Sequence, residues 1–333
     1  MYGLKKSSES VVAVITLLAY GCPVQAIVAA LAVDERTVRD WLRRAGEHCI
    51  GVHAHLVEAA KLNLEQGQAD EIKAKTQRGS VWMAMAMMAP TRLWLGGVVS
   101  ARRDLKLIQT LMAKVRGVAL CRPLVILVDG LPSYVKAAQR AFRHPRGRRY
   151  TSPLRTGKIG RPRLIPWPDI AIAQVVTLAP ARSAGERRTA GGLCITRRIA
   201  QGCPEMVRHL LGKHTINTAY IERLNATFRQ RLACLARRSR ALARTAAPLT
   251  HGMYLVGCVY NFCTYHCSLR CPLYVGRAGR IRWVQRTPAM AATLTDHRWS
   301  VSELLAFKVP PPPFVPPKRR GRPPKKVLLE AAT

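Results

Sequence analysis

Acidic residues are scarce in this sequence. Only 18 Asp and Glu stand against 54 Lys and Arg in 333 residues, so the formal net charge is +36. A compact fold with this imbalance repels itself unless a polyanion compensates for it. Because basic side chains displace condensed counterions from phosphates, nucleic acid is the partner that the composition favours, with an anionic membrane surface as the alternative.

Patterns that would indicate other chemistries are also missing. The sequence has no GxxxxGK[ST] phosphate loop, so nothing supports an ATP-driven mechanism, and it has no GxSxG nucleophile motif. The ten cysteines include no CxxC pair, and a chain of this length can build a large core without disulfides. We therefore expect reduced thiols in the cytosol. For the cluster of cysteines at 258–271, core packing is favoured over a zinc site.

Charge is absent from Ser10 to Val33, which is long enough to span a bilayer. Lys5 and Lys6 precede this stretch, as basic residues precede the apolar region of a signal peptide. Gly21 and Pro23, however, divide it into two amphipathic pieces, and a third helical pattern follows. We therefore favour three short helices over a membrane segment.

The three predicted helices have the size and the tight turns of a helix-turn-helix module, which we assign to residues 1–50. Pro23 suits the start of the second helix, and Asp34 is a good N-cap for the third. The basic third helix favours DNA binding over a helical bundle with a solvated surface. Its candidate DNA contacts are Arg36, Arg39, Arg43 and Arg44.

Strand and helix patterns alternate between residues 60 and 270. The order is three strands, a helix, a strand, a helix, a strand and two helices. This order predicts an α/β fold of the ribonuclease-H-like kind, with a mixed sheet flanked by helices. The predicted elements lie at 67–76, 80–88, 92–100, 104–116, 123–130, 132–142, 170–178, 217–245 and 251–266.

Two basic insertions interrupt this order, near 144–168 and 181–213. Within the first, Arg161 and Arg163 follow glycine and proline in a pattern that we interpret as a DNA-contacting loop, with a second AT-hook as the alternative.

A C-terminal extension, 271–308, is followed by a Pro-rich linker and basic tail, 309–333, which we expect to be disordered. The tail contains the AT-hook core Arg320, Gly321, Arg322 and Pro323. Such a flat segment can enter a narrow A·T minor groove, whose negative potential attracts arginine.

Three carboxylates fall where this fold brings distant segments to one edge of the sheet: Asp70 on the first strand, Asp129 after the fourth, and Glu222 on a later helix. Three such ligands suit two Mg²⁺ ions about 3.5–4 Å apart, with Mn²⁺ as an alternative ion. Two ions placed in this way stabilise both the attacking and the leaving oxygen of a phosphodiester displacement.

Strand alternation favours Asp70 over its neighbour Glu71 as the first ligand. Asp70 shares its side of the strand with Ile72, whereas Glu71 shares the other side with Lys73 and Lys75. Asp70 is therefore expected to face inward, and Glu71 is the alternative ligand.

Glu222 lies at the rim of an apolar stripe on its predicted helix. Asn225 and Arg229 share its side and are candidate DNA contacts. The alternative is that Glu222 is a solvated residue that forms an ion pair along the helix.

Four segments resemble bacterial insertion-sequence transposases of the DDE type: "VDG" at Asp129, "NTAYIERLNATFRQRL" at Glu222, "YNFCTYHCSLR" at 260–270 and "PAMAATLTDHRWSVSELL" at 288–305. The resemblance covers about residues 4–308 and is most specific around Glu222. The helix-turn-helix pattern before Asp70-Glu71 fits the same family.

This resemblance implies a Mg²⁺-dependent triad of Asp70, Asp129 and Glu222, cleavage of DNA at the element's ends, and joining of the 3′-OH ends to target DNA. It also implies double-stranded DNA partners, a homo-oligomer assembled on DNA, a bacterial cytoplasmic and nucleoid-associated location, and no membrane. A transposase relic or other DNA-binding protein without catalysis, and a structure-specific nuclease, are the alternatives.

Overall fold

The computed structural model describes residues 6–77, 79–145, 164–178, 194–235, 245–275 and 280–311. The predicted DNA-contacting residues Arg161 and Arg163, the AT-hook core Arg320 to Pro323, and the tail from residue 312 onwards lie outside the described residues.

Three helices open the described chain: α1 (Ser8–Ala19), α2 (Val24–Leu31) and α3 (Glu35–His53). The Asp34 carboxylate accepts hydrogen bonds from the first backbone N–H groups of α3, so the predicted N-cap is confirmed. Pro23 is the residue just before α2, where its fixed φ suits the entry into the helix.

Ten strands follow within the described ranges: β1 (Gln66–Thr76), β2 (Gly79–Met88), β3 (Leu93–Ser100), β4 (Leu124–Asp129), β5 (Arg143–Pro145), β6 (Leu164–Pro166), β7 (Ile170–Leu178), β8 (Cys194–Gln201), β9 (Cys271–Val275) and β10 (Arg280–Val284). Six of them form a mixed sheet in the order β3-β2-β1-β4-β7-β8. The pairs β1–β4 and β4–β7 are parallel, and the other pairs are antiparallel. The remaining strands form two two-stranded antiparallel sheets, β5–β6 and β9–β10.

Helices cover both faces of this sheet. The further helices are α4 (Leu105–Val118), α5 (Pro132–Ala141), α6 (Pro204–Leu211), α7 (Ala219–Arg231), α8 (Ala246–Cys258), α9 (Pro288–Ala291) and α10 (Val301–Ala306). On β1, Gln68 and Asp70 bond to α7 or to the segment that leads into it, whereas Glu71 bonds to α5. Because neighbouring strand residues point to opposite faces, α7 and α5 lie on opposite sides of the sheet.

The three N-terminal helices share one apolar core with the sheet. Val14 of α1 and Trp41 of α3 belong to the same buried cluster as Trp94 of β3. Helix α3 crosses α8 so closely that a Cβ built on Gly46 would lie 2.4 Å from the Cβ of His251. The N-terminal helices therefore pack against the rest of the described chain.

Several predicted boundaries shift. The helix predicted over 217–245 ends at Arg231, where Leu232 turns to extended backbone, and residues 236–244 lie outside the described part. The second predicted insertion, 181–213, contains β8 and α6. Strand β8 extends the sheet by pairing with β7, and the guanidinium of Arg198 on β8 bonds to the side chain of Gln174 on β7. The predicted helix 251–266 begins at Ala246 as α8 and changes to a π-helical turn at Val259–Cys263.

Within the described ranges, every helix is too short or too polar to cross a lipid bilayer. The nine cysteines described are free thiols.

Candidate metal centre

Three carboxylates meet where β1 and the end of β4 lie side by side. One oxygen each from Asp70, Glu71 and Asp129 can be chosen so that all lie within 4.8 Å of one another. Asp129 reaches this place because it ends the apolar strand β4, which pairs in parallel with β1. The structure therefore brings Asp70 and Asp129 together, and it adds Glu71.

Glu71 lies on the α5 side of the sheet and is 8% exposed. The hydroxyl of Tyr134 donates to its Oε2 over 2.6 Å, and Nε of Arg103 donates to its Oε1 over 2.6 Å. Burial raises the pKa of Tyr134 well above its usual value, so this phenol keeps its proton and acts as a donor. The expectation that Asp70 alone faces inward is wrong, because helices cover both faces of the sheet here and Glu71 is the more buried of the two.

Arg103 also reaches the second carboxylate. Its Nη2 lies 3.5 Å from Oδ2 of Asp129 and forms a closer ion pair with Glu71. Asp129 accepts a further hydrogen bond from the backbone N–H of Leu131. Among the residues that the structure describes, the cluster thus holds three carboxylates against one guanidinium.

Asp70 points to the α7 side of the sheet. Its Oδ2 accepts a hydrogen bond of 2.7 Å from the side-chain amide of Asn225. The pKa of Asp70 is raised to about 6, mainly by burial. The hydrogen bond from the backbone N–H of Glu71 opposes this rise, whereas the charges of Glu71, Asp129 and Glu222 contribute to it. Burial likewise raises the pKa of Asp129, while its bonds to Leu131 and Arg103 oppose the shift.

Glu222 lies outside this group. It is exposed on the first turn of α7, where its Oε1 accepts a 2.6 Å hydrogen bond from the hydroxyl of Thr218. It is nonetheless near enough for its charge to raise the pKa of Asp70. Its role as the third ligand stays a prediction.

Asn225 differs from its expected role as a DNA contact. It is 1% exposed, and its amide holds Asp70 instead. The physical reason is the short distance between α7 and β1, which buries this position of the helix. Its Oδ1 is buried without a hydrogen-bond partner among the described residues.

The predicted DNA contacts on α3 are mostly engaged along their own helix. Arg39 pairs with Glu35, while Arg43 and Arg44 both pair with Asp40, and Arg43 also reaches Glu47. Such exposed pairs contribute little stability, so phosphates can replace the carboxylates. Arg36 is exposed, and Arg229, on the Glu222 side of α7, is half-buried.

Sequence reasoning missed Arg103 and Tyr134. Arg103 precedes Asp104, whose carboxylate caps α4. From the sequence, Arg103 is only a loop residue just before a helix, and nothing in that pattern indicates contact with the carboxylates. Tyr134 reads as an ordinary apolar position of α5.

The donor set fits a hard divalent cation. Crowded, partly buried carboxylates with raised pKa values are costly when ionised, and a bound cation removes that cost. Mg²⁺ favours oxygen ligands and keeps several waters, so Asp70 and Asp129 suffice as protein ligands.

No protein-family model matches the chain, and none of the curated proteins with which it was compared is significantly similar.

Proposed function

We propose that the protein is a metal-dependent DNA-cleaving and strand-joining enzyme, a transposase of the DDE type. The observation that carries this proposal is the meeting of Asp70 and Asp129 on neighbouring parallel strands, with the pKa of both raised. Perturbed carboxylates clustered in this way are typical of functional sites. The first five strands of the sheet order, β3-β2-β1-β4-β7, support a ribonuclease-H-like arrangement.

The chain's own residues have distinct parts in this proposal. Asp70 and Asp129 hold the cation, and Asn225 fixes the orientation of the Asp70 carboxylate. Glu222 lies near enough for its charge to raise the pKa of Asp70, and a movement of α7 or of the Glu222 side chain would complete the site. When bound, Mg²⁺ supplies an activated water and neutralises charge that develops on the phosphate.

DNA is the substrate that the charge favours. The formal charge of +36 lies on a chain whose three N-terminal helices present an arginine-rich α3. Electrostatic attraction of this size gives strong, salt-sensitive binding to phosphates. Mg²⁺ or Mn²⁺ as cofactor, assembly of copies on DNA and a location on the bacterial nucleoid belong to the same proposal.

The test is a cleavage assay with the full chain, Mg²⁺, and duplexes that carry the DNA flanking its reading frame. We expect nicked and joined products from the parent protein and none from Asp70→Asn, Asp129→Asn or Glu222→Gln. All three variants should still bind DNA in gel-shift assays, which controls for folding.

The other outcomes of this assay distinguish the alternatives to a transposase. If Asp129→Asn cuts as well as the parent, the site assignment is wrong. A parent protein that binds DNA but never cuts it, with either metal, would be a non-catalytic DNA-binding protein. Cutting without any joined product would indicate a nuclease.

A further inference from the structure

A groove lies on the side of α7 that faces away from the carboxylate cluster of Asp70, Glu71 and Asp129 (the acidic cluster). Its volume is about 740 Å³, within the usual range for small-ligand sites of roughly 300–1,000 Å³. Four parts of the chain build it: Tyr20 at the end of α1, Arg92 between β2 and β3, one side of α7, and the segment after the π-helical turn. A Cβ on Gly21 would lie 2.8 Å from the backbone oxygen of Gln230, so the α1–α2 turn sits directly against α7.

The groove has an unbalanced positive charge. Arg92, Arg223 and Arg231 line it together with His266, and its described lining includes no Asp or Glu. Nη1 of Arg231 is buried without a hydrogen-bond partner among the described residues. Burial lowers the pKa of His266, and the charges of Arg92 and Arg223 lower it further. An anion is the ligand that would satisfy these groups.

Aromatic rings stand beside these cations. The guanidinium of Arg92 lies 3.2 Å from the ring centre of Tyr220, and that of Arg231 lies 4.7 Å from the ring centre of Tyr20. Tyr265 also lines the groove and is 41% exposed. Arginine planes and tyrosine faces together form the usual platform for unstacked nucleobases and their phosphates.

Helix α7 connects the groove to the acidic cluster. At about 100° per residue, Arg223 and Asn225 point about 200° apart around the helix. Arg223 lines the groove, whereas Asn225 bonds to Asp70. The two sites are therefore separated by about one helix diameter, on the order of 10 Å.

We propose that this groove binds an unpaired stretch of DNA strand next to the phosphodiester that the acidic cluster acts on. The identity of the ligand as DNA rests on the proposed function. A duplex is too wide for a concave site of this volume, whereas one or two nucleotides fit, with phosphates on the arginines and a base against Tyr265.

The test is binding of a fluorescent single-stranded oligonucleotide, and of a duplex of the same sequence, to the full chain in EDTA. Without metal, cleavage does not contribute, so this result is independent of the proposed chemistry. Arg223→Gln removes an exposed charge from the groove, and Tyr265→Ala removes an exposed ring. Arg122→Gln is the matched control, because Arg122 is an exposed arginine just before β4, at the opposite edge of the sheet from Asp129.

We expect Arg223→Gln to weaken single-strand binding roughly tenfold, the size of one lost hydrogen bond to a charged group. Its plot of log affinity against log salt should be shallower by about 0.7. Tyr265→Ala should weaken single-strand binding by roughly five- to tenfold with an unchanged salt slope. Arg122→Gln should match the parent in single-strand affinity to within about twofold.

Three results would overturn the proposal. The first is single-strand binding by Arg223→Gln and Tyr265→Ala equal to that of the control. The second is an equal loss for single strand and duplex, which would make the groove part of a general basic surface. The third is displacement of the oligonucleotide by a mononucleotide at equal concentration, which would indicate a free-nucleotide site. None of these three results would decide whether the parent protein cleaves DNA, which the cleavage assay tests separately.

Discussion

The side-chain amide of Asn225 donates a 2.7 Å hydrogen bond to the Asp70 carboxylate, and so ties α7 to β1 at the candidate metal centre. A group that orients a ligand typically changes metal affinity or activity by about 10–100-fold when it is removed. Asn225→Ala should therefore reduce metal-dependent cleavage by at least roughly tenfold. DNA affinity should stay at the parent level, since Asn225 is buried.

The control for this prediction is Ala226→Ser, at the next, exposed position of α7. It should cleave like the parent. Equal cleavage by Asn225→Ala and the control would show that the bond to Asp70 has no part in the site.

Mg²⁺ should stabilise the folded protein through the carboxylate cluster. A ligand at a hundred times its Kd adds about 2.7 kcal/mol to the free energy of unfolding. We expect this gain, measured as a rise in Tm, to disappear in Asp70→Asn and Asp129→Asn. Asp169→Asn, an exposed carboxylate in the turn before β7, should keep it.

Measuring the effect of Mg²⁺ on Tm also shows whether Glu222 is the third ligand of the ion. If Glu222→Gln weakens the Mg²⁺ effect on Tm and DNA is not needed, the exposed carboxylate reaches the ion in the free protein. If only Asp70→Asn and Asp129→Asn weaken it, Glu222 joins the site with DNA present or not at all.

Arg103 neutralises Glu71 and approaches Asp129. Removing it leaves the buried Glu71 carboxylate with Tyr134 alone, so Arg103→Gln should lower the free energy of unfolding in EDTA by about 1–3 kcal/mol. Mg²⁺ should then raise the Tm of Arg103→Gln more than that of the parent, because the cation replaces the missing charge. Arg102→Gln, an exposed neighbour, is the control and should change neither value. A Mg²⁺ effect no larger than the parent's would mean that Arg103 does not compete with the ion.

His53 is buried between Trp94 and Tyr254, and its Nε2 lies 3.2 Å from the carbonyl oxygen of Leu95. Burial lowers the pKa of His53 to about 4. Between pH 6.5 and 4 the unfolded chain binds a proton that the folded protein excludes, so stability falls as pH falls through this range. The full loss is roughly 3 kcal/mol.

Urea unfolding at pH 7 and pH 5 measures this loss. In His53→Gln, whose amide can still donate to Leu95, the difference in unfolding free energy between the two pH values should shrink. An unchanged difference would show that His53 is not the group responsible.

Gly257 of α8 lies directly under the ring of Trp94. A Cβ at this position would lie 2.2 Å from ring carbons of a side chain that is fully buried. Gly257→Ala should therefore lower the free energy of unfolding by about 1–3 kcal/mol or more. Gly117→Ala is the matched change, because a Cβ added at this position of α4 would have no described atom within 4 Å, and it should stabilise by up to about 1 kcal/mol. Equal effects of the two changes on Tm would contradict the close packing of α8 on β3.

Local signals in the sequence predicted most of the element order. The cap Asp34 was found where expected, because a cap bonds to backbone groups two or three residues away. The apolar run of β4 predicted that Asp129 ends a strand, because this pattern also depends only on neighbouring residues. Prediction failed at β8 and α6, since the segment is basic and its strand becomes visible only when paired with β7.

The candidate site shows the same division. Asp70 and Asp129 could be chosen from their rarity and their positions on two strands. The roles of Glu71, Arg103 and Tyr134 could not be predicted. Because helices cover both faces of β1, buried and exposed positions do not alternate around Glu71. The groove beside α7 joins residues separated by more than two hundred positions, and no pattern in the sequence links Tyr20 to His266.

The sequence by itself determined the surplus of positive charge, the alternation of strands and helices, and the few carboxylates available to hold a cation. Each of these depends on composition or on neighbours within a few residues. Only the tertiary structure decided which carboxylates meet, that Asn225 faces Asp70 rather than DNA, and that three arginines converge on one groove. Those contacts depend on how the sheet and α7 pack together, and packing is a property of segments that are distant in the chain.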